Sequence, residues 1–269
     1  MIRNSQNVLQ QKLSRLSQAN QEGDFKLFEQ NVRAEFMWPI PTLTVELKGV
    51  EKLNRRLAQI ILEKEREVTS KGKPTMVAGL SEGLTAHWLE YNVLSWDHPE
   101  IAEFRQHVLA GLREFFKLIG DPDSPEMKVS GISRWANVLH PGQALEVHHH
   151  YPAFVSMHYH VQSGNEPDDP ELSPEAEQQN SGSTVYFRPG FMERSHGGKA
   201  AGLASPWDEN WRISTSPTEG KLFFFPSYIR HEVRPYMGKS QRISIALDVF
   251  LKKQNAPIYF ATPRWFVPQ

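Results

Sequence analysis

The histidines of this sequence are the residues whose type and spacing are best suited to chemistry. Three are consecutive, at 148 to 150, and His231 stands well apart from them. Successive side chains of a β-strand point to opposite faces, so His148 and His150 would share one face and His149 would point away. With His231 from another predicted strand, they would form one open face of a metal coordination sphere. The alternative is that three consecutive histidines are only the exposed polar end of a strand.

Composition limits the other chemistries. The chain has 269 residues and no cysteine, so a disulfide, a thiolate metal site and a cysteine nucleophile are excluded, and any metal must be bound by His, Asp or Glu. Thirty basic and thirty-one acidic residues leave no overall field that would attract nucleic acid or an anionic membrane. We therefore expect a small-molecule substrate, no nucleic acid or membrane partner, and a cytoplasmic location. The sequence leaves the oligomeric state open, including a homodimer.

A second polar feature lies in the segment RISIALDVF, which begins at Arg242. Its alternation separates Arg242 and Ser244 from the wholly apolar face that contains Ile243. A buried arginine needs an anion, and its guanidinium fits a carboxylate through two parallel hydrogen bonds, to which Ser244 could add another. A metal ion inside the fold, together with an inward-facing arginine that binds a carboxylate, would suit a keto acid held between the two.

The surrounding pattern predicts the elements that must position these residues. Residues 41–49 alternate like a strand, residues 50–68 place apolar residues on one helical face, and a longer helix is predicted between residues 95 and 120. From residue 128 onward the period changes to two, with turns between short strands. We expect an α+β, mainly β fold, a double-stranded β-helix (a cupin-like jelly roll) backed by N-terminal helices.

The predicted domain boundaries follow from the same pattern. Residues 1–35 would be an N-terminal helical extension, residues 36–252 a single domain, and residues 253–269 a C-terminal tail. Within the domain, residues 36–125 would supply helical support and residues 126–252 the β-helix core. Two insertions, 163–183 and 190–220, interrupt that core, and whether they act as lids is left open.

At this point the chain resembles a family of 2-oxoglutarate/iron(II) oxygenases from bacteria and phages. The resemblance covers roughly residues 36 to 250 and is carried by an ordered set of stretches: WANVLHPG (135–142), HHH (148–150) with SMHYHV (156–161), GKLFFFPSYIRHEVRP (220–235) and RISIAL (242–247). It implies that His148, His150 and His231 bind Fe(II), and that Arg242 and Ser244 bind the far carboxylate of 2-oxoglutarate. Asn137 and Tyr159 match positions that face the site and would contact the cosubstrate.

The implied activity is that of a 2-oxoglutarate-dependent non-haem iron dioxygenase, which uses Fe(II), 2-oxoglutarate and O2. We expect it to hydroxylate a C–H bond of a small organic, amino acid-like substrate with release of succinate and CO2. Glu146 is expected to accept a hydrogen bond from a metal-bound imidazole. Residues that could contact substrate, or simply pack against their neighbours, are His158, His160, Arg188, Trp207 and Trp211.

Three other functions stay open at this stage. The main alternative is a cupin-type dioxygenase or isomerase that binds its metal with three histidines and does not use 2-oxoglutarate, and so would not need Arg242 near the metal. A zinc hydrolase would need a general base beside the metal-bound water. A non-catalytic binding module would show weak metal affinity and no turnover.

Overall fold

The computed structural model describes residues 40–71, 83–119, 127–164, 181–189 and 212–253. The helices predicted within residues 1–35, most of both insertions including Trp207 and Trp211, and the tail beyond residue 253 lie outside these ranges. In the described part of the chain, no helix combines the length and the apolar character that crossing a membrane requires.

The described helices precede most of the strands. They are α1 (Glu51–Ser70), the short α2 (Gly83–Ala86), a 3-10 turn (Val93–Ser95) and α3 (Pro99–Ile119). The two long helices confirm the predictions for residues 50–68 and 95–120. They form where apolar residues recur every three or four positions, and these positions are buried. On α1 they include Leu57 and Ile61, and on α3 Ile101, Phe104 and Val108.

The strands form two antiparallel sheets. In chain order the strands are β1 (Leu43–Glu46), β2 (Met127–Leu139), β3 (Leu145–His148), β4 (Val155–Gln162), β5 (Thr184–Phe187), β6 (Arg212–Thr215), β7 (Lys221–Pro226), β8 (His231–Val233) and β9 (Arg242–Lys253). One sheet has the order β1-β7-β4-β9-β2 and the other β3-β8-β5-β6. The expected mainly β jelly roll with supporting helices is confirmed, as two separate sheets and not as a closed barrel.

Strand β9 shows how the fold separates its apolar core from its polar cavity. It lies between β2 and β4 in the larger sheet. Its residues Ile243, Ile245 and Leu247 are fully buried in one apolar cluster with residues of α1 and α3. Because side chains alternate along a strand, Arg242 and Ser244 point to the opposite face, toward the smaller sheet. The alternation of β9 therefore fixes which face of the sheet can carry chemistry.

Candidate metal centre

Three histidine rings converge between the two sheets. His148 ends β3, and its Cα atom is paired across the strands with that of His231 on β8. His150 comes two residues later, and the possible ligand atoms of the three rings all lie within 4.8 Å of one another. β3 ends at His148, so His150 lies just beyond the strand whose alternation was expected to align the two rings. The ring of His150 reaches the same point from the turn that leads into β4.

Each of the three rings has an oxygen atom close to its Nδ1 atom. The Nδ1 of His148 donates to the Glu146 carbonyl oxygen at 2.6 Å, and that of His231 to the Ile229 carbonyl oxygen at 3.0 Å. The Nδ1 of His150 lies 3.1 Å from Asp248 Oδ2. Carbonyl and carboxylate oxygens only accept hydrogen bonds, so all three Nδ1 atoms carry the hydrogen. Each neutral ring then presents the lone pair of its Nε2 atom.

The contact between two of these Nε2 atoms fits a shared metal ion. Those of His150 and His231 are 3.2 Å apart. Two acceptor nitrogens cannot form a hydrogen bond with each other, whereas nitrogens bound about 2.1 Å from one ion at right angles are about 3.0 Å apart. Imidazole nitrogens suit Fe(II) and neighbouring transition metals. The donor set therefore fits a divalent transition-metal ion at this point.

Burial keeps two of the rings, those of His148 and His231, in the form that binds metal. It lowers the pKa of His148 to about 4, and the nearby His150 ring adds to the effect. Burial also holds the pKa of His231 well below its ordinary value. A neutral imidazole is the ligand form, so the apoprotein does not have to lose protons from these two rings at neutral pH.

A buried carboxylate, Asp248, contacts one of the three rings. It is 4% exposed, and its Oδ1 atom accepts a hydrogen bond of 2.6 Å from Ser156 Oγ while Oδ2 faces His150. The supporting role expected for the Glu146 carboxylate is therefore not what the structure shows. The Glu146 side chain is exposed, and only its backbone carbonyl holds an imidazole. The sequence indicated Asp248 only through its position on the polar face of β9.

The three rings open into a cavity of about 500 Å³. Of the residues singled out from the sequence, several share its wall: Asn137, Glu146, His158, Arg242 and Ser244. Asn137 is 8% exposed, and its Oδ1 atom accepts a hydrogen bond of 3.1 Å from Trp135 Nε1. The Trp135 ring is centred 5.5 Å from that of His150 and 5.3 Å from that of Trp88. This aromatic wall was not foreseen, although Trp135 has the same parity on β2 as Asn137.

Arg242 lies in the same cavity and is 1% exposed. Its Nε atom donates to the Gly182 carbonyl oxygen at 2.9 Å and its Nη1 atom to Ser244 Oγ at 3.3 Å. Among the described residues it forms no ion pair with a carboxylate. Burial lowers its pKa to about 10, so the guanidinium is still charged at neutral pH. Gly182 has φ +62°, and a Cβ atom there would lie 2.9 Å from Arg242 Cδ, so this glycine makes room for the arginine.

Two other predicted site residues lie elsewhere. Tyr159 is buried on the helical face of β4, where its hydroxyl donates to Asn54 Oδ1 at 2.6 Å and its ring packs on Phe104. The cosubstrate contact expected for Tyr159 therefore does not fit the structure. The neighbouring His158 lines the cavity instead, because β4 alternates, whereas His160 is buried and does not line it. Arg188 is exposed just beyond β5 and does not line the cavity.

Comparison with known proteins gives one family match. Residues 133–248 match the family model described as "Putative 2OG-Fe(II) oxygenase". We found no significant match among curated protein sequences.

Several solved structures are similar to this chain. A prolyl-4-hydroxylase from Pseudomonas putida is 16% identical, with a TM-score of 0.48 over 78% of this chain and 93% of that one. A viral collagen prolyl hydroxylase from Paramecium bursaria Chlorella virus-1 is 10% identical, with a TM-score of 0.42 over 83% of this chain and 99% of that one. HygX from Streptomyces hygroscopicus, solved with nickel and 2-oxoglutarate bound, is 12% identical, with a TM-score of 0.40 over 82% of this chain and 84% of that one.

The segment that matches the family model contains the three convergent histidines, Asp248, Arg242 and Ser244. Residues 133–248 are accordingly similar to the 2-oxoglutarate/Fe(II) oxygenase family, whose enzymes are non-haem iron dioxygenases that use Fe(II), 2-oxoglutarate and O2.

Proposed function

We propose that this enzyme hydroxylates a C–H bond of a small organic, amino acid-like substrate. In this proposal His148, His150 and His231 hold Fe(II), while Arg242 and Ser244 hold the far carboxylate of 2-oxoglutarate. The balanced reaction is substrate C–H plus O2 plus 2-oxoglutarate, giving substrate C–OH, succinate and CO2.

The observation that carries the proposal is that Arg242 is buried and pairs with no carboxylate among the described residues. A buried guanidinium without a carboxylate partner is costly, and here it lies in the cavity that also contains the three histidines. A dicarboxylate keto acid offers one end to a metal and the other to an arginine. A cupin-type enzyme that does not use 2-oxoglutarate would have no need of this arginine.

Bound Fe(II), together with 2-oxoglutarate and O2, supplies the oxidation. The protein's own residues position the reactants. Two backbone carbonyls and the Asp248 carboxylate orient the three imidazole rings through their Nδ1 atoms. Asp248 also places a negative charge close to three ligands that are themselves neutral. Trp135 and Trp88 form an apolar wall beside His150, which excludes water from that side of the site.

The size and lining of the cavity support a small substrate with polar groups. Its volume of about 500 Å³ must accommodate both the cosubstrate and the substrate. Polar side chains such as Asn137 and Glu146 share the wall with aromatic and apolar side chains such as Trp135 and Val233. Such a wall can orient a small molecule through a few hydrogen bonds while the rings cover its apolar part.

The test is a substrate screen under 18O2 with Fe(II) and 2-oxoglutarate. Free amino acids and related small carboxylates are supplied singly, and succinate release and product mass are measured. We expect one compound to stimulate succinate release and to gain one 18O atom. If a compound stimulates succinate release but gains no oxygen atom, the enzyme catalyses a different oxidation of its substrate, such as desaturation. If Arg242→Ala releases succinate at the rate of the surface control Arg113→Ala, the assignment of Arg242 is wrong.

A further inference from the structure

One charged group in the cavity wall has no part in the metal and cosubstrate sites. Among the described residues, the charged side chains that line the cavity, apart from the histidines, are Glu146, Arg242 and Asp248. Asp248 contacts His150 and Ser156, and Arg242 is assigned to the cosubstrate. The Glu146 side chain is exposed and has no hydrogen bond or ion pair within the described part of the chain. Its carboxylate is therefore open to a molecule that enters the cavity.

The charges inside the occupied cavity leave that carboxylate without a counter-ion. In the proposed function, Fe(II) and the two carboxylates of 2-oxoglutarate offset each other in charge. Arg242 and Asp248 have opposite charges and offset each other as well. The imidazoles contribute no charge in the neutral form that binds a metal. What remains is the negative charge of Glu146, since an exposed carboxylate is ionised at neutral pH. A positively charged group of the substrate would complement it.

Two tryptophan rings form one side of the cavity wall. Trp88 and Trp135 both line the cavity, with ring centroids 5.3 Å apart and ring planes inclined at 54°. The Trp135 N–H already donates to Asn137 Oδ1, so Trp135 presents only ring atoms to a ligand. The face of an indole ring attracts a cation more strongly than that of any other aromatic side chain. These rings can receive an apolar group or a cation, and the charge of Glu146 favours the cation.

The groups on both sides of this region are carried by backbone that is already fixed. Thr85 Oγ1 accepts a hydrogen bond of 2.9 Å from Val138 N, which holds α2 against β2. Trp88 follows two residues after the end of α2. Glu146 lies on β3, two residues before the histidine that ends this strand. The carboxylate and the rings therefore belong to the same framework as the metal centre, and substrate binding does not have to assemble them.

We propose that Glu146 is a substrate-specificity residue, whose carboxylate binds an ammonium group of the substrate while the faces of Trp88 and Trp135 cover the ammonium group and the carbon atoms next to it. This inference deepens the proposed function and rests on it. It narrows the substrate from a small, amino acid-like molecule to one that carries an ammonium group, and it excludes anionic molecules without one.

The first test uses the full-length protein and two probes of equal chain length. n-Butylamine carries a positive charge at pH 7, and 1-butanol is its neutral counterpart. Ligand-observed saturation-transfer NMR gives the Kd of each probe for the metal-free protein and for its complex with Zn(II) and 2-oxoglutarate, in which Zn(II) has no redox chemistry. The variants are Glu146→Gln, which removes the charge, Trp88→Leu, which removes the ring face, and the matched control Glu103→Gln at an exposed position of α3.

We expect the wild-type complex to bind n-butylamine about tenfold more tightly than 1-butanol, as for a partly exposed ion pair together with a cation–π contact. The metal-free protein should show a preference of about threefold, because the charge of Arg242 is then not offset by a cosubstrate. In the complex, Glu146→Gln and Trp88→Leu should each reduce the preference to about threefold or less, and Glu103→Gln should keep it. A general disturbance of the cavity would weaken both probes and leave the ratio of their Kd values unchanged.

The second test uses the screen for succinate release. The compounds that stimulate the enzyme should carry an ammonium group. With such a compound, Glu146→Gln should raise KM about three- to tenfold and change kcat less than about twofold, because the carboxylate binds the substrate and takes no part in the oxidation.

Three results would overturn the inference. They are equal affinity of the wild type for the two probes in both forms of the protein, a preference for the amine that Glu146→Gln leaves unchanged, and succinate release that only compounds without an ammonium group stimulate. The absence of succinate release with every compound contradicts the proposed function instead. The ratio of the two Kd values in the metal-free protein then still decides whether Glu146 selects a cation.

Discussion

The two ends of the cavity are suited to groups of opposite charge. At the end formed by His148, His150 and His231, every Nδ1 atom has an acceptor, so three Nε2 lone pairs are left to face one point. At the end formed by Arg242 and Ser244, a guanidinium and a hydroxyl lie together, and Arg242 forms no ion pair with a carboxylate among the described residues. The first arrangement suits a cation and the second an anion. An elongated molecule that chelates a metal and ends in a carboxylate would satisfy both.

The largest expected effect concerns the cation end. His231→Ala removes a proposed metal ligand that β8 places directly opposite His148, and we expect the Kd for Fe(II) to rise more than about 100-fold. Anaerobic competition with a chromophoric chelator measures it. His149→Ala, the middle residue of the same run, should bind Fe(II) like the wild type. Equal losses in the two variants would contradict the ligand assignment.

The next effect tests whether the carboxylate beside His150 contributes to metal binding. Asp248→Asn keeps the shape of the side chain and removes its charge beside His150, and we expect the Fe(II) Kd to rise about 10- to 100-fold. Ser156→Ala removes only the hydrogen bond to Asp248 Oδ1 and should change the Kd about fivefold or less. If Asp248→Asn binds Fe(II) normally, the carboxylate is structural and the three rings bind metal without its charge.

A pH effect follows from the buried histidines at both ends. Burial lowers the pKa of His148 to about 4 and that of His158 to about 3 in the folded apoprotein. Unfolded histidines have pKa values of about 6.5, so below that pH the unfolded chain takes up protons that the folded chain does not. The free energy of unfolding should therefore fall as the pH drops from about 6.5 to 4, by about 1.4 kcal/mol per pH unit for each such ring.

Urea unfolding of the apoprotein between pH 7.5 and 4.5 measures this slope. In His158→Phe the slope should be shallower by the contribution of one proton. The same slope in the variant and the wild type would show that His158 is not held neutral by the fold.

How far the sequence predicts this molecule depends on local periodicity. The alternation of β9 correctly predicts that Arg242 and Ser244 lie on the face opposite Ile243. The spacing of three and four residues on α3 correctly predicts that Phe104 is buried. Alternation fails where a strand ends, which is why His150 reaches the metal point from a turn. The partners across strands depend on register, which a single sequence does not specify. The contact of Asp248 with His150 was missed for that reason.

The smallest effect tests a predicted contact that the structure relocates. Tyr159→Phe removes the hydroxyl that donates to Asn54 on the helical side of β4, and we expect the free energy of unfolding to fall by about 1 kcal/mol. The Kd for 2-oxoglutarate should not change. Weaker 2-oxoglutarate binding at an unchanged free energy of unfolding would indicate that Tyr159 contacts the cosubstrate in the cavity.

The most direct test of the account is an anaerobic titration of 2-oxoglutarate into Fe(II)-loaded protein, with the charge-transfer band as the signal. The account predicts a saturable band in the wild type and in Arg113→Ala, a Kd about 100-fold higher in Arg242→Ala, and no band in His150→Ala. Fe(II) binding without a band at any 2-oxoglutarate concentration would contradict it, and so would a band that Arg242→Ala leaves unchanged.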